Sequence, residues 1–299
     1  MNLTEDFKQK VFNALLEQRK NYGGNDKAFA TSYGLHPSIW SRIKGGEAPG
    51  QLVSQGQILH IARELNVSAN ERKWNMARTE VYDAISDDVI TCQKHSKAMV
   101  LVDDCAIGKT YTAKHLSKKL INCFYVDASQ CKTKQLFVRS FAKAIGVDSD
   151  GKVAHVKENI KYYLSNVLQK PIVIIDEAGD LDYGAFLELK EFWNATENMC
   201  GWYMMGADGL RTKIEKGVRG KKVGFREILS RYSNKFMKIV PIGQEDRNLF
   251  YRKLITDVLS VNTADKAVIE KLVKQCLATG TDVGGLRRAE TLLLLNGAA

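Results

Sequence analysis

The sequence predicts an α/β protein in which a mostly parallel sheet is flanked by helices and preceded by a small all-α unit. From about residue 97, short apolar runs alternate with helical patterns. One of these runs leads through a turn into Gly108-Lys109-Thr110 at the start of an amphipathic helix. Before residue 67, apolar positions instead recur with the period of a helix and are separated by turn residues.

The charge of the chain favours a polyanionic partner. The 299 residues carry a formal net charge of +10. Residues 1–95 hold 12 of the 44 Lys and Arg and 11 of the 34 Asp and Glu, so the rest of the chain has a net charge of +9. We therefore expect a nucleic-acid surface mostly in the second part.

Cysteine spacing and hydropathy set the expected compartment. The six cysteines are scattered without a C-x-x-C pair, so neither a zinc site nor a disulfide framework is indicated. No apolar run approaches the roughly 20 residues of a membrane helix, and the first ten residues do not have the pattern of a signal peptide. We expect a cytoplasmic protein with reduced thiols and no membrane partner.

The N-terminal unit has helix-turn-helix spacing. A capped amphipathic helix is predicted at residues 4–20, followed by short helices at 28–33 and 37–44 and a further helix at 52–65. Residues 1–67 resemble DNA-binding domains of the λ-repressor type. The resemblance implies that the second short helix enters the major groove, with contacts from His36, Ser38, Ser41, Arg42 and Lys44.

Near-neutral charge leaves another interpretation of this unit open, namely a small helical bundle used for protein contact. After it, the pattern predicts a linker helix at residues 69–90, within a linker at 68–96.

The central part predicts four strands and four intervening helices. The strands are predicted at residues 99–102, 123–126, 171–175 and 202–205. The helices are predicted at residues 109–121, 133–145, 154–168 and 183–198. Such alternation implies a parallel sheet, and ligands bind at the carboxyl ends of its strands.

The first strand is followed by a phosphate-binding pattern. Main-chain N–H groups at a helix N-terminus lack internal partners and attract phosphate, and here they are expected to hold ATP. Lys109 would reach the outer phosphates and the Thr110 hydroxyl would bind Mg²⁺. The expected nucleotide contacts are Ala106, Ile107, Gly108, Lys109, Thr110 and Tyr111.

The pattern departs from G-x-x-x-x-G-K-[ST] at two positions. Asp103 replaces the first glycine, and Ala106 stands where many such ATPases have another. A carboxylate near phosphate is unfavourable unless it points away. The alternative interpretation is an ordinary strand-to-helix turn that contains Gly-Lys-Thr.

A second motif follows the third predicted strand. Asp176, at the strand end, can hold Mg²⁺, and Glu177 can polarise the attacking water. Two acids after a strand can also be simple capping residues. The pairing of this motif with Gly-Lys-Thr is more specific than either alone and favours ATP binding.

With these motifs, residues 97–299 resemble the AAA+ ATPases, with a core at 97–243 and a helical lid at 244–299. The resemblance implies a water-orienting residue at Asp208, and an arginine finger at Arg231, with Arg226 as the other candidate. It also implies that Arg287 contacts the nucleotide phosphates from the lid. The plainer alternatives are a surface arginine at 231 and a basic first turn at 287.

A basic segment at residues 211–226 lies before the expected finger helix. Its glycines predict a flexible loop, either simply solvated or following a DNA backbone. The expected DNA contacts in this segment are Arg211, Lys213, Lys216, Arg219, Lys221 and Lys222.

The domain order resembles the target-capture ATPases of transposons, the phage Mu B type. That resemblance implies an ATP-dependent homo-oligomer or helical filament on double-stranded DNA, which supplies target DNA to a transposase. The alternatives are an ATP-switched helix-turn-helix transcription regulator, a helicase-loader-like ATPase, and a scaffold that does not hydrolyse ATP.

Overall fold

In a computed structural model, which describes residues 3–65, 67–69, 74–278 and 284–297, a parallel sheet organises the chain. In the described part the sheet has five strands in the order β2-β3-β4-β1-β5. The strands are β1 (Ala98–Val102), β2 (Cys123–Asp127), β3 (Ile172–Asp176), β4 (Gly201–Gly206) and β5 (Phe236–Met237).

The four predicted strands are confirmed to within a residue at each end. The pairing of β1 with β4 runs from Ala98 opposite Trp202 to Val102 opposite Gly206. The two-residue strand β5 was not predicted, because so short a segment has no readable period.

Helices cover both faces of the sheet, so its central strands are buried throughout. On β3, Val173 and Ile175 belong to one apolar cluster while Ile172 and Ile174 belong to the other. The core helices are α6 (Glu80–His95), α7 (Lys109–Lys119), α8 (Lys134–Ile145), α9 (Val153–Tyr162), α10 (Tyr183–Ala195), α11 (Asp208–Arg219) and α12 (Phe225–Arg231). Burial on both faces explains why these strands read as continuous apolar runs.

The segment expected to be a lid, here called the lid, forms helices that share one of the two apolar clusters of the sheet. Its helices are α13 (Gln244–Ser260), α14 (Lys266–Leu277) and α15 (Leu286–Leu295). The predicted lid therefore packs against the sheet through buried residues such as Ile255 and Leu272. No helix in the described residues is both long and apolar enough to span a bilayer.

The N-terminal helices are α1 (Glu5–Lys20), α2 (Asp26–Ser32), α3 (Pro37–Lys44), α4 (Pro49–Leu52) and α5 (Gln55–Glu64). The helix predicted at 52–65 is confirmed over residues 55–64, but its predicted start is wrong, because Ser54 interrupts the helix. The Ser54 hydroxyl accepts the N–H of Gln57 and forms a capping box that starts α5 afresh.

The predicted linker helix at 69–90 is also wrong in its bounds. Residues 70–73 lie outside the described part, residues 74–79 are not helical, and α6 runs from Glu80 to His95. Thr79 sets the start, since its hydroxyl accepts the N–H of Tyr82.

The flexible loop predicted at 211–226 is wrong as well, because most of it is the helix α11. Gly217 lies inside this helix, where an added Cβ would come within 2.3 Å of the Phe225 ring. This glycine therefore permits close packing between α11 and α12. The helix that carries the two candidate finger residues, Arg226 and Arg231, is α12, and it ends at Arg231.

Asn122 fastens the N-terminal helices to the sheet at the amino end of β2. Its side chain accepts the N–H of Gly23 (2.9 Å) and donates to the carbonyl of Gln169 (2.8 Å). Its main-chain N–H donates to the carbonyl of Asn21. A second link is the 2.6 Å hydrogen bond between the Tyr22 and Tyr163 hydroxyls.

The Asn122→Ala variant is expected to lose about 1–3 kcal/mol of unfolding free energy, because the N–H of Gly23 and the carbonyl of Gln169 both lose a partner. Urea unfolding measures the loss. Asn198→Ala is the matched control, since Asn198 has positive φ like Asn122 but is exposed. Equal losses in the two variants would mean that the side-chain hydrogen bonds of Asn122 contribute nothing.

Candidate functional site

A cleft of about 640 Å³ lies where the loop after β1 meets the segment before α6 and the first turn of α15. Its volume is that of a small-molecule site. Main chain and polar side chains of residues 105–112 form one part of the lining. The larger side chains of Trp74, Met76, Tyr82 and Val258 form an apolar part. The cleft therefore combines polar and apolar surface.

The loop after β1 has a left-handed backbone at two positions. Gly108 has φ of 103° and precedes the first residue of α7, and Ala106 has φ of 56°. The left-handed region costs a residue with a Cβ roughly 1 kcal/mol or more. The alanine at this position thus adopts the conformation for which glycine is favoured, and its carbonyl accepts the N–H of Leu286 at 2.8 Å.

Asp103, which replaces the first glycine of the motif, has its carboxylate engaged by main-chain N–H groups. The carboxylate is 3% exposed. It accepts the N–H groups of Asp104 (2.8 Å), Ile239 (2.5 Å) and Val240 (2.9 Å). These three hydrogen bonds engage the negative charge of the carboxylate. Asp103 therefore links the loop to the segment after β5 and has a structural role.

Lys109 is the first residue of α7, and its side chain reaches back into the loop. Its ammonium donates to the carbonyls of Asp103 (2.8 Å) and Asp104 (2.5 Å). Burial lowers the pKa of Lys109, although the nearby carboxylates oppose that shift. An anion held by the loop would relieve this desolvation by supplying a charged partner.

Asp176 and Glu177 stand at the carboxyl end of β3. The buried Asp176 carboxylate accepts the Tyr125 hydroxyl (3.0 Å) and the N–H of Glu177 (3.0 Å). Glu177 has φ of 49°, which turns the chain sharply, and it lines the cleft. Burial, and then the Asp176 charge, raise the pKa of Glu177.

The lid meets the loop at two places. An added Cβ on Gly285 would lie 2.7 Å from the carbonyl oxygen of Ala106, so the start of α15 rests directly on the loop. On α13, Arg247 (2.6 Å) and the Tyr251 hydroxyl (2.7 Å) both bind the carboxylate of Asp104. Arg287, in the first turn of α15, lines the cleft.

The structure therefore brings part of the predicted site together. The expected residues that line the cleft are Ala106, Ile107, Gly108, Lys109, Thr110, Tyr111, Glu177 and Arg287. Asp176 stands beside Glu177, since β3 ends at this edge of the sheet.

Asp208 does not line the cleft among the described residues. It is the exposed first residue of α11, two positions beyond the end of β4. Because β4 lies between β3 and β1, Asp208 follows a strand next to both motif-bearing strands.

Arg231 lies toward the amino-terminal ends of the strands, whereas the cleft lies at their carboxyl ends. Its Nε donates to Asn194 (2.7 Å), and its guanidinium lies 5.1 Å from the centre of the Trp193 ring. Nearby, the Ser233 hydroxyl donates to the carbonyl of Ala98, the first residue of β1. Because the cleft follows the carboxyl end of β1, Arg231 is remote from the cleft of its own chain.

The basic residues of 211–226 divide into two sets. Arg211 lies 5.4 Å from the centre of the Phe236 ring, and Lys213 donates to main-chain carbonyls, so both are directed into the fold. The exposed set is Lys216, Arg219, Lys221, Lys222 and Arg226.

The expected groove-reading residues on α3 are partly engaged within the N-terminal region. Arg42 pairs with Glu47. Lys44 binds Asp26 at 2.7 Å, and its hydrogen bond is the main reason the pKa of Asp26 falls to about 2. The Ser41 hydroxyl donates to the carbonyl of Pro37, and the Ser38 hydroxyl is bonded to the His36 ring.

The sequence analysis missed the apolar part of the cleft lining. Trp74 and Met76 in this part come from the irregular segment 74–79, which carries no periodic pattern. Asn75 is clasped to the end of α13, because its N–H donates to Asn262 (2.7 Å) and its amide donates to the carbonyl of Val261 (2.8 Å).

Comparison with known proteins agrees with this architecture. A family model described as an AAA domain matches residues 92–214. The Aeropyrum pernix Orc1 protein in complex with DNA is similar with 17% identity and a TM-score of 0.52, over 74% of this chain and 59% of that chain. The sheet order and these findings show the fold of a P-loop AAA+ module.

Two further solved structures are more weakly similar. The Thermotoga maritima RuvB Holliday junction branch migration motor has 13% identity and a TM-score of 0.38, over 74% of this chain and 65% of that one. NtrX from Brucella abortus in complex with ATP has 11% identity and a TM-score of 0.43, over 87% of this chain and 60% of that one. This chain therefore spans about three fifths of these proteins. No curated protein sequence matches it.

The Asp103→Ala variant is expected to lose about 3 kcal/mol or more of unfolding free energy, since three main-chain donors lose a charged acceptor. Asp103→Asn keeps one acceptor oxygen and should lose less. Denaturant unfolding of both variants measures the difference. Unchanged stability in the alanine variant, with tighter ATP binding, would show instead that the carboxylate faces the phosphate site.

Proposed function

We propose that the protein is an ATP-dependent, DNA-binding ATPase. The observation that carries this proposal is that Lys109, Glu177 and Arg287 line one cleft of about 640 Å³. The loop around Lys109 offers unpaired N–H groups at the start of α7, to which phosphates bind. The apolar part of the lining includes the aromatic rings of Trp74 and Tyr82, which suit a purine base.

Mg²⁺ fits the residues at the carboxyl edge of the sheet. Thr110 lines the cleft beside the loop, and Asp176 ends β3, which β4 separates from β1 in the sheet. Each carboxylate oxygen of Asp176 retains a lone pair after its hydrogen bond, and hard oxygen ligands suit Mg²⁺. When bound, the ion would neutralise charge on the phosphates.

The side chains divide the hydrolytic work. Lys109 would exchange its carbonyl partners for phosphate oxygens, which are stronger acceptors for an ammonium group. Glu177, held in a sharp turn beside Asp176, would orient water for attack on the terminal phosphate. Arg287 would bind the phosphates from the lid and link its position to the nucleotide.

We propose that the protein oligomerises with ATP. Arg231 lies toward the edge of the sheet away from its own cleft, so a role as arginine finger requires the cleft of a neighbouring copy. Asp208 is proposed as the polar residue that orients water. Its place next to β3 and β1 supports that role.

Double-stranded DNA is the proposed polyanion. The exposed cations from Lys216 to Arg226 lie on α11, on the turn after it and on α12, in the part of the chain with a net charge of +9. Helix α3 offers a second contact, with Ser38, Ser41, Arg42 and Lys44 on its exposed side. Orc1, which shares the fold, was solved in complex with DNA.

The finer proposal is that the oligomer presents this DNA to a transposase. It rests on the order of an N-terminal helical region with helices at 26–32 and 37–44, followed by the ATPase module. The exposed helix α3 also supports a second candidate, an ATP-switched transcription regulator. Protection of arbitrary DNA in footprinting supports target capture, whereas protection of one short site supports the regulator.

The Lys109→Ala variant is expected to lose ATP binding, and Glu177→Gln is expected to bind ATP while losing about 100-fold or more in turnover. Calorimetry and phosphate release measure the two effects. Lys119→Ala, exposed on the last turn of the same helix, is the matched control. Full activity in either site variant would exclude the assigned site.

Replacing Lys216, Arg219 and Lys221 together by Gln should weaken DNA binding and flatten its salt dependence. The slope of log affinity against log salt is expected to fall by about 2–3, because each phosphate contact contributes about 0.9. The control replaces Lys266, Lys271 and Lys274 on α14, which removes the same charge elsewhere. Equal slopes in the two variants would exclude α11 as the DNA contact.

A further inference from the structure

The turn that presents Glu177 packs directly against α11. A short 3₁₀ turn (Ala178–Asp180) follows Glu177. An added Cβ on Gly179 would lie 3.1 Å from the main-chain nitrogen of Leu210, so the backbone of the turn and the first turn of α11 are in close contact. A shift of one must therefore displace the other.

Lys213 adds a polar bond to this contact. Its ammonium reaches from α11 to the carbonyl of Gly179 and to the carbonyl of Leu181, which lies at 2.6 Å. The ammonium also lies 5.7 Å from the centre of the Phe186 ring, on the helix that follows the turn. One side chain thus joins both sides of the turn to α11.

Resting on the proposed ATPase activity, we propose that Lys213 is a positioning residue for Glu177. A turn whose carbonyls are fixed two and four residues after Glu177 has little freedom to rotate the carboxylate out of the cleft. Lys213 does not line the cleft, so it acts through Glu177 and has no contact with the nucleotide site.

Other groups near the turn do not replace this bond. Lys132 binds Asp180 at 2.8 Å, but through an exposed side-chain carboxylate. Asp182 uses its own carboxylate to cap α10, where it accepts the N–H of Ala185 at 2.7 Å. Neither contact holds the carbonyls of Gly179 and Leu181, which accept from Lys213. The N–H groups of Asp180 and Leu181 close the turn on the carbonyls of Glu177 and Ala178, and Lys213 ties the closed turn to α11.

The test compares Lys213→Met and Lys213→Arg in the full chain with Mg-ATP and double-stranded DNA. Methionine keeps the apolar stem without the donors, and arginine restores donors for the two carbonyls. Lys213→Met should lower kcat about 10- to 100-fold, as a small displacement of a catalytic group does. The ATP dissociation constant should stay within about twofold, and Lys213→Arg should recover most of the rate.

A double variant separates positioning from a general loss of structure. In a Glu177→Gln background, Lys213→Met should cause no further loss of turnover, because the group that it positions is already absent. Lys143→Met, an exposed lysine on α8, is the control for removing one lysine charge. Thermal unfolding of each variant reports whether folding changes.

Three results would overturn the proposal. The first is a wild-type kcat in Lys213→Met. The second is weakened ATP binding in proportion to kcat, and the third is a full additional loss in the Glu177→Gln background. If Lys213→Met folds poorly, Lys213→Leu, which also lacks donors, decides by the same criteria. If the wild type shows no turnover that depends on Glu177, the proposed function fails together with this inference.

Discussion

The buried carboxylate of Asp103 is the constraint on which the site depends. It accepts main-chain N–H groups from its own loop and from Ile239 and Val240 after β5. The loop therefore keeps its shape without the glycine that usually stands there. The same bonds fix the carbonyls of Asp103 and Asp104, to which the ammonium of Lys109 donates. A carboxylate that looks unfavourable in the motif stabilises the fold because its charge is fully engaged.

Two connections extend from this loop and its neighbouring motif. Asp104 ties the loop to the lid through Arg247 and Tyr251, and the carbonyl of Ala106 ties it to the start of α15. Helix α11, which carries exposed cations, packs on the turn after Glu177. The proposed nucleotide site is thus in mechanical contact with the lid on one side and the proposed DNA surface on the other.

The order of strands and helices could be predicted because burial on both faces makes each strand a continuous apolar run, as in β3. Features that depend on main-chain geometry could not be predicted. In the sequence Gly217 indicates flexibility, but in the structure it permits close packing against Phe225. The interruption before α5 depends on the cap formed by Ser54. The segment from Trp74 to Thr79 has no period, so its place in the cleft follows only from tertiary contacts such as the clasp between Asn75 and Asn262.

The account stands on the claim that the loop around Lys109 binds a nucleoside triphosphate. Isothermal titration of the wild-type chain with Mg-ATP tests this most directly. We predict a saturable heat that corresponds to one nucleotide per chain. Inorganic phosphate should not reproduce this heat, since it leaves the apolar part of the cleft empty. The absence of any heat with Mg-ATP and Mg-GTP, in a chain shown to be folded, would contradict the account.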